Sequence, residues 1–240
     1  MRKEIDKVLE EYVIKTWNAI ANGYFHLRSR PWRDLVRMIP YSEKEKGIAL
    51  DLGCGTGRHV SELVRRFSEV LAVDISKRMI EWTRKRCIKS DMYTKVHTVV
   101  ANGRLLPFRY NCIDFVLSVA VLHNIPSREE RLRVLESIKS TMKPRGSLLL
   151  TVWSRYQPRL LIKAILQLMR RRNGVLEFGD VLVPWRRKGT TYYRYYHLFT
   201  KKELREHITS VGFKISRLHI LGRRYIVIPR NYAVLAEKVC

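Results

Sequence analysis

The segment Ile48-Ala-Leu-Asp51-Leu-Gly53-Cys-Gly55-Thr-Gly57 decides the fold of this chain. A short apolar run leads into a loop with three glycines, and residues 60–67 then place apolar side chains at helical spacing. A strand, a glycine-rich turn and a helix in this order are typical of the first unit of a doubly wound α/β sheet. Because the glycines let a ligand approach the backbone, the segment also predicts a nucleotide-like ligand.

Strands continue to alternate with helical periodicity after this segment. Further strands are predicted over residues 70–74, 96–101, 115–121 and 147–153. This rhythm predicts an α/β fold with a doubly wound, mostly parallel sheet, whose cofactor-binding core covers residues 47–153.

The remaining regions are expected to complete a single domain over residues 1–240. Residues 1–46 are predicted to form two helices, the second starting at Pro31. Residues 154–199 are predicted to be a substrate-binding insertion, with a helix over 158–172 and an irregular stretch up to Phe199. Residues 200–240 hold a last helix and two strands, 213–221 and 232–237, which we expect to form an antiparallel hairpin. Capping boxes at Ser127 and Thr200 predict two helix starts.

The composition is that of a globular protein with a large positive charge. The 240 residues carry 47 Lys and Arg against 22 Asp and Glu, a net charge of +25. A polyanionic partner such as nucleic acid is the simplest reason for this charge, although an ion-pair-rich thermophile surface is an alternative. No apolar run has the length of a membrane span and the first residues do not resemble a signal peptide, so a cytoplasmic location is expected.

The four cysteines, Cys54, Cys87, Cys112 and Cys240, are far apart and form no CxxC pair. We therefore expect neither disulfides nor a metal site built by the protein.

The glycine loop argues against NAD, because the sixth position of that fingerprint, counted from Gly53, is Arg58 rather than glycine. Its Asp-x-Gly-x-Gly-x-Gly form, with Asp74 after the second strand and the later Leu106-Pro-Phe108, resembles class I S-adenosylmethionine-dependent methyltransferases. The resemblance implies S-adenosylmethionine as the cofactor, with Asp74 accepting from the ribose hydroxyls. The cofactor-binding residues that it implies are Asp51, Gly53, Gly55, Gly57, Asp74, Asn102, Gly103 and Ser118.

Asn102 departs from that family, which usually has an acidic residue here to accept from the adenine amino group. An amide carbonyl can still accept without charge assistance, so a weaker contact is expected rather than loss of binding.

The residues after the fourth strand restrict the methyl acceptor. The run Ser118-Val-Ala-Val-Leu-His123-Asn124 lacks the Asn/Asp-Pro-Pro-aromatic box of methyltransferases that act on planar amines. Cys112 lies before this strand, which disfavours methylation at C5 of cytosine. Oxygen, sulfur, carbon and ring-nitrogen acceptors remain open.

Four segments resemble a narrower family, the tRNA wobble-uridine carboxymethyl methyltransferases. They are residues 20–32, the glycine loop, residues 118–131, and Asp180-Val-Leu-Val-Pro-Trp185 with Arg194-Tyr-Tyr-His197-Leu-Phe199. Asn124 stands where that family often has a second histidine. The resemblance implies esterification of 5-carboxymethyluridine at position 34 of tRNA. Among residues that can donate to the acid, our candidates are Arg28, Arg194, Tyr195 and His197, with His123 near the methyl group. A carboxylate is already ionised at neutral pH, so this attack needs no general base.

The same resemblance implies two partners. One is the tRNA anticodon arm, which we expect the basic and aromatic insertion to grip, with Arg155 and Arg170 to Arg172 among its cations. The other is a small zinc-binding activator protein, for which the edge strand Lys95-Val-His-Thr-Val-Val100 offers unpaired backbone groups.

Two other functions remain open from the sequence. A small-molecule, quinone-type methyltransferase would be active without RNA, and a non-catalytic RNA-binding subunit of a methyltransferase complex would not bind the cofactor. Each of these candidate residues can also have a purely structural role instead of contacting the substrate. Tyr195 and Phe199 can pack in the protein interior, and Arg170 to Arg172 can form a solvated helix face.

Overall fold

The computed structural model describes residues 2–41, 47–169, 177–187, 189–222 and 229–239. The strands in these ranges are β1 (Ile48–Leu52), β2 (Glu69–Asp74), β3 (Val96–Val100), β4 (Ile113–Val119), β5 (Met142–Trp153), β6 (Asp180–Arg187), β7 (Thr190–His197), β8 (Phe213–Leu221) and β9 (Asn231–Lys238). The helices are α1 (Arg2–Leu27), α2 (Arg33–Val36), α3 (Val60–Val64), α4 (Lys77–Lys89), α5 (Arg128–Thr141), α6 (Pro158–Met169) and α7 (Lys201–Ser210), with a 3-10 turn at Leu122–Asn124.

Seven of these strands form one sheet in the order β3-β2-β1-β4-β5-β9-β8. The first five strands are parallel to one another, whereas β9 pairs antiparallel with both β5 and β8. The predicted doubly wound, mostly parallel sheet with a C-terminal antiparallel hairpin is therefore confirmed.

Apolar side chains cover both faces of the central strands, which is why these strands are buried between helix layers. On one face, Val134 and Leu135 of α5 pack with Leu204 of α7. On the other face, Leu63 of α3 and Ile80 of α4 belong to a second buried cluster. The carboxyl ends of β1 to β4 meet at one edge of this layered core, where ligands of such folds bind.

The structure corrects the sequence-based description of the insertion. The stretch predicted to be irregular contains a second, two-stranded antiparallel sheet, in which Asp180 pairs with His197 and Arg187 with Thr190. Its sequence is rich in Val, Thr and Tyr, which favour strands, and Gly189 turns the chain with a φ of +75°. Proline is disfavoured in central strands, but Pro184 is tolerated here because a two-stranded sheet has open edges.

Helix boundaries also differ from the expectation. The helix predicted to start at Pro31 is only the short α2, and α6 is described as far as Met169. Thr200 and Glu203 form the predicted capping box of α7. At α5 only half of the box forms: the Ser127 hydroxyl accepts from the Glu130 amide, while the Glu130 carboxylate pairs with arginines instead.

Arg170 to Arg172 and Cys240 lie outside the described residues, and the other three cysteines are free thiols. Among the described helices, none combines the length and apolar character needed to cross a membrane.

Candidate functional site

The glycine loop follows β1 and turns back over β2. The amides of Gly53 and Cys54 both donate to the carbonyl of Val73, at 2.7 and 2.9 Å. Gly53 has a φ of +67°, and a Cβ there would lie 2.2 Å from a methyl carbon of Val121. This turn therefore requires glycine for both conformation and space.

Asp74, at the end of β2, lies in a cavity beside this loop, which we call the glycine-loop cavity. Its carboxylate accepts from the amide of Gly55 at 2.9 Å and from that of Ser76 at 2.8 Å. Burial raises the pKa of Asp74 to about 6, against the lowering effect of these amides. Since a carboxylate offers about four acceptor positions, roughly two remain for a ligand's hydroxyl groups.

Asp51 is buried within β1 and lines neither cavity, although the next residue, Leu52, lines the glycine-loop cavity. Its Oδ2 has no hydrogen-bond partner among the described residues. Burial is the main cause that raises its pKa to about 7; Arg58 lowers the pKa and Asp74 raises it further. Asp74, which does line the cavity, fits a ligand that carries a ribose diol.

The far end of the glycine-loop cavity contains a polar cluster that sequence reasoning missed. Asn102 Nδ2 donates to Glu10 Oε1 of α1 at 2.5 Å, and Asn102 Oδ1 accepts from the backbone and side-chain nitrogens of Arg104 at 3.1 and 3.4 Å. Arg104 also pairs with Glu10 and Glu130. Glu10, Asn102, Gly103 and Arg104 all line the cavity. The sequence contains a signal for this cluster, because Asp6 and Glu10 lie at helical spacing on the same face as the apolar Val13, which is the face that packs against the core.

A second cavity, which we call the arginine cavity, adjoins the first and shares Trp17, Tyr24 and Ala120 with it. Its other lining residues are mainly cationic and aromatic: Arg28, Arg58, Arg194, Arg230, Trp32, Trp153 and Tyr196, together with His123. In the described part of the chain, none of these arginines is ion-paired with a carboxylate, and no Asp or Glu lines the cavity. An arrangement of this kind favours an anionic, planar ligand.

Ala120, in the wall shared by the two cavities, has an unusual backbone conformation with a φ of +61°. Its amide donates to the backbone carbonyl and hydroxyl of Thr151, and its carbonyl accepts from Asn124 Nδ2 at 2.6 Å. Strained positions of this kind persist where surrounding contacts fix them, often at functional sites. Asn124 therefore holds the wall, and its own Oδ1 is buried without a partner among the described residues.

His123 lies in the arginine cavity as a neutral side chain. Burial lowers its pKa to about 3, and its Nδ1 accepts from the amide of Trp153 at 3.2 Å. The proton of a neutral imidazole in this arrangement is on Nε2, so His123 can donate a hydrogen bond but does not carry a positive charge.

Tyr195 and His197 lie outside the lining of both cavities. The Tyr195 hydroxyl donates to Asp180 at 2.8 Å, and the two nitrogens of His197 bond Asp180 and Glu203, each at 2.6 Å. Burial alone would lower the pKa of His197, but these carboxylates raise it. His197 therefore connects the β6–β7 hairpin to α7. Neither Tyr195 nor His197 lines the arginine cavity.

Besides Asp51, two of the predicted cofactor-binding residues, Gly57 and Ser118, line neither cavity. Ser118 is buried within β4.

Glu177, Asp180 and His197 bring three metal-ligating atoms within 4.8 Å of one another. Both imidazole nitrogens already bond carboxylates, however, so this cluster is explained as part of a buried ion-pair network that also contains Arg131.

Comparisons with known proteins relate this chain to methyltransferases. Residues 50–150 match the family described as "Methyltransferase domain". The tRNA (carboxymethyluridine(34)-5-O)-methyltransferase of Schizosaccharomyces pombe is 27% identical, over 95% of this chain and 96% of that protein. A mouse protein named "Probable tRNA methyltransferase 9B" is 26% identical over 78% of this chain but only 36% of its own length. The chain thus spans about a third of the vertebrate relatives of that name.

Solved structures with the same fold include two archaeal proteins. A SAM-dependent methyltransferase of Methanosarcina mazei superposes with a TM-score of 0.69 at 23% identity, over 88% of this chain and 99% of that chain. A methyltransferase-type chain from a Haloferax volcanii complex with the Trm112 methyltransferase activator has a TM-score of 0.68 at 16% identity, over 95% and 97% of the two chains. At these identities the likeness establishes the fold.

The fold, the matched family and the fit of Asp74 to a ribose-bearing ligand lead to one assignment. Residues 50–150 match a methyltransferase domain, and S-adenosylmethionine is the cofactor that the glycine-loop cavity fits.

Proposed function

We propose that this protein transfers a methyl group from S-adenosylmethionine to the carboxylate of 5-carboxymethyluridine at position 34 of tRNA, forming a methyl ester. The observation that carries the proposal is the arginine cavity, which shares a wall with the glycine-loop cavity. The name of the Schizosaccharomyces pombe relative supports the same substrate.

The charge of the arginine cavity suits a carboxylate acceptor. Arg28 and Arg194 line it, and the Nε of Arg194 is buried without a hydrogen-bond partner among the described residues. The Arg194 guanidinium lies over the rings of Trp185 and Tyr196, at 4.9 and 5.2 Å from their centroids. Stacking restricts this guanidinium, so less entropy is lost when it binds a carboxylate through two parallel hydrogen bonds.

Aromatic side chains of the same cavity suit a nucleobase. Trp17, Tyr24 and Trp153 line the space next to the arginines. Proteins that read single-stranded RNA loops unstack a base and place it on such rings. A uridine of the anticodon loop that carries an anionic substituent therefore matches both sets of side chains.

The chemistry requires positioning more than proton transfer. When bound, S-adenosylmethionine supplies a methyl group activated by a sulfonium sulfur. A carboxylate oxygen can attack that carbon directly: the new C–O bond forms as the S–CH3 bond breaks, and no proton moves. Arg28 and Arg194 orient the acceptor, His123 offers an N–H donor, and Trp17 and Tyr24 help to exclude water where the cavities meet. The ester product is neutral, so we expect Arg28 and Arg194 to bind it more weakly than they bind the carboxylate substrate.

The direct test uses purified protein, methyl-labelled cofactor and tRNA that contains 5-carboxymethyluridine. We expect label in the tRNA that mild alkali releases, because an ester is base-labile while N-methyl and C-methyl groups are not. The matched control is the same tRNA with unmodified uridine at position 34, which should remain unlabelled. Alkali-stable label, or equal labelling of both tRNAs, would contradict the proposed acceptor.

Exposed cations that are close in sequence to residues of the arginine cavity are proposed to bind the anticodon arm. Arg159 of α6 and Arg186 of β6 are exposed, and so are the aromatic rings of Tyr156 and Tyr193 nearby in the chain. Arg155 belongs to a different group, because it pairs with Glu203 and donates to the carbonyl of Leu198. We therefore assign Arg155 a structural role and base the proposed RNA contacts on the exposed residues.

Reversing Arg159 and Arg186 to glutamate should weaken tRNA binding and reduce its salt dependence. Each lost phosphate contact lowers the slope of log affinity against log salt by about one. Fluorescence anisotropy of labelled tRNA over a salt series measures this slope. Lys214→Glu with Arg217→Glu on β8 is the matched control, since it changes the net charge equally on exposed residues of an edge strand outside the insertion. Equal slopes for the two double variants would remove α6 and β6 from the RNA surface.

An activator protein is also proposed as a partner, with β3 as its docking strand. The predicted position of β3 at the sheet edge is confirmed. Ala101 N donates to Asp74 O, and Lys95 O accepts from Val70 N. Because backbone groups alternate along a strand, those of Val96, Thr98 and Val100 face the open edge. A partner strand could pair with these groups. The Haloferax volcanii neighbour, which was solved with the Trm112 activator, supports such an assembly.

Thr98→Pro should abolish binding of the activator, because it removes an amide that faces the open edge and leaves the bonds to β2 in place. Thr98→Val is the control, since it keeps the amide and nearly the same shape. Co-purification of the two chains and size-exclusion chromatography report the complex. Val99→Pro is less informative, because the Val99 amide faces β2. If Thr98→Pro retained the complex at the wild-type level, docking on β3 would be excluded.

A further inference from the structure

The N-terminal helix α1 places a carboxylate in the glycine-loop cavity, at the end opposite the loop. Glu10 lines this cavity, and its side chain is 21% exposed. Asp6, Val13 and Trp17 of the same helix also line the cavity, so α1 forms one of its walls. Helix α1 lies outside residues 50–150, the matched methyltransferase domain.

The order of the strands indicates which part of the cofactor reaches Glu10. Asp74 ends β2, the glycine loop follows β1 on one side, and Asn102 follows β3 on the other. A nucleoside whose ribose hydroxyls bond Asp74 has the loop on its sugar side, so its base extends toward Asn102. Glu10 lies directly against this position, since it accepts from Asn102 Nδ2 at 2.5 Å.

Asn102 is not available to receive the adenine amino group. Its Nδ2 is a donor that bonds Glu10, and its Oδ1 accepts two hydrogen bonds from Arg104. Two bonds saturate an amide oxygen. Glu10 uses one acceptor position of each oxygen, toward Asn102 and toward Arg104, which leaves roughly two of about four positions open.

We propose that Glu10 of α1 accepts the hydrogen bond from the adenine amino group of S-adenosylmethionine, and that Asn102 and Arg104 hold Glu10 in place. Arg104 bridges Glu10 to Glu130 of α5, so the carboxylate is fixed from two elements of the core. Because a carboxylate accepts more strongly than an amide, the adenine contact is charge-assisted in spite of Asn102. This inference concerns the cofactor alone and is independent of the proposed tRNA acceptor.

The test compares two nucleosides by calorimetry on the full chain: S-adenosylhomocysteine and S-inosylhomocysteine, in which an oxo group replaces the 6-amino group. Wild-type protein should prefer the adenine compound by about 10- to 100-fold, because a carboxylate repels the oxo group. Glu10→Gln should reduce this preference to about threefold or less, because an amide can donate to the oxo group as well as accept from the amino group. Glu10→Asp, which withdraws the carboxylate by one methylene, should give an intermediate preference.

Glu11→Gln is the matched control, because Glu11 is exposed on the same helix and its replacement changes the charge equally. This variant should keep the wild-type preference. If Glu10 only anchored α1 through Arg104, Glu10→Gln would weaken both compounds by the same factor and leave their ratio unchanged. That result, or a wild-type protein without any preference, would overturn the proposal while leaving the tRNA assignment intact.

Discussion

Replacing Asp74 with alanine should lower the affinity for S-adenosylmethionine by about 2–4 kcal/mol, because two hydrogen bonds to a carboxylate are lost. Asp74 also accepts from the amides of Gly55 and Ser76, so part of the loss reflects a less ordered glycine loop. Isothermal titration calorimetry of the full chain measures the effect. Asp74→Asn should lose nearly as much affinity, because Gly55 and Ser76 donate to different oxygens of Asp74 and asparagine keeps only one of these acceptors.

A matched control for this prediction is Asp34→Ala, which removes an exposed carboxylate from α2. Its affinity should equal that of the wild type. Unchanged cofactor affinity in Asp74→Ala, with a normal circular dichroism spectrum, would show that the cofactor site is not at the end of β2.

Arg28→Ala and Arg194→Ala should each reduce turnover on carboxymethyluridine-containing tRNA by about 10²-fold, the order expected when reacting groups are no longer held in position. Cofactor affinity should change little, because both residues line the arginine cavity and neither lines the glycine-loop cavity. Arg194→Lys should recover only part of the rate, since lysine keeps the charge but cannot form the paired hydrogen bonds of a guanidinium. Initial rates with subsaturating tRNA give the comparison.

Tyr195→Phe is the contrasting variant. The Tyr195 hydroxyl bonds Asp180 in the buried network and does not reach the arginine cavity, so we expect lower thermal stability and near-normal turnover. Asp180 keeps its bond from His197 in this variant. A wild-type turnover rate in Arg28→Ala or Arg194→Ala would exclude that arginine from the acceptor site. A turnover rate about 10²-fold lower in Tyr195→Phe would show that Tyr195 belongs to the acceptor site.

The sequence was sufficient where the structure is determined by local patterns. Short apolar runs located all five parallel strands, and three glycines in a seven-residue segment identified the ligand-binding turn, because both signals depend on neighbouring residues. The β6–β7 hairpin was missed for the same reason: its strands contain Pro184 and several charged residues, which resemble a loop when read locally.

Long-range pairs account for the other differences. His197 bonds Asp180, 17 residues away, and Arg104 pairs with Glu10, 94 residues away. A histidine near an arginine and two tyrosines has the same sequence pattern whether it faces a substrate or a buried carboxylate. Burial and pairing decide between these roles, and only the tertiary structure shows them.

The most direct test of the central claim is mass spectrometry of tRNA nucleosides from a strain that lacks this protein. We predict that the methyl ester of 5-carboxymethyluridine disappears and that the free acid accumulates in its place. The wild-type chain should restore the ester, whereas the Arg194→Ala chain should not. An unchanged ester level in the deletion strain, with no accumulation of the acid, would contradict the account.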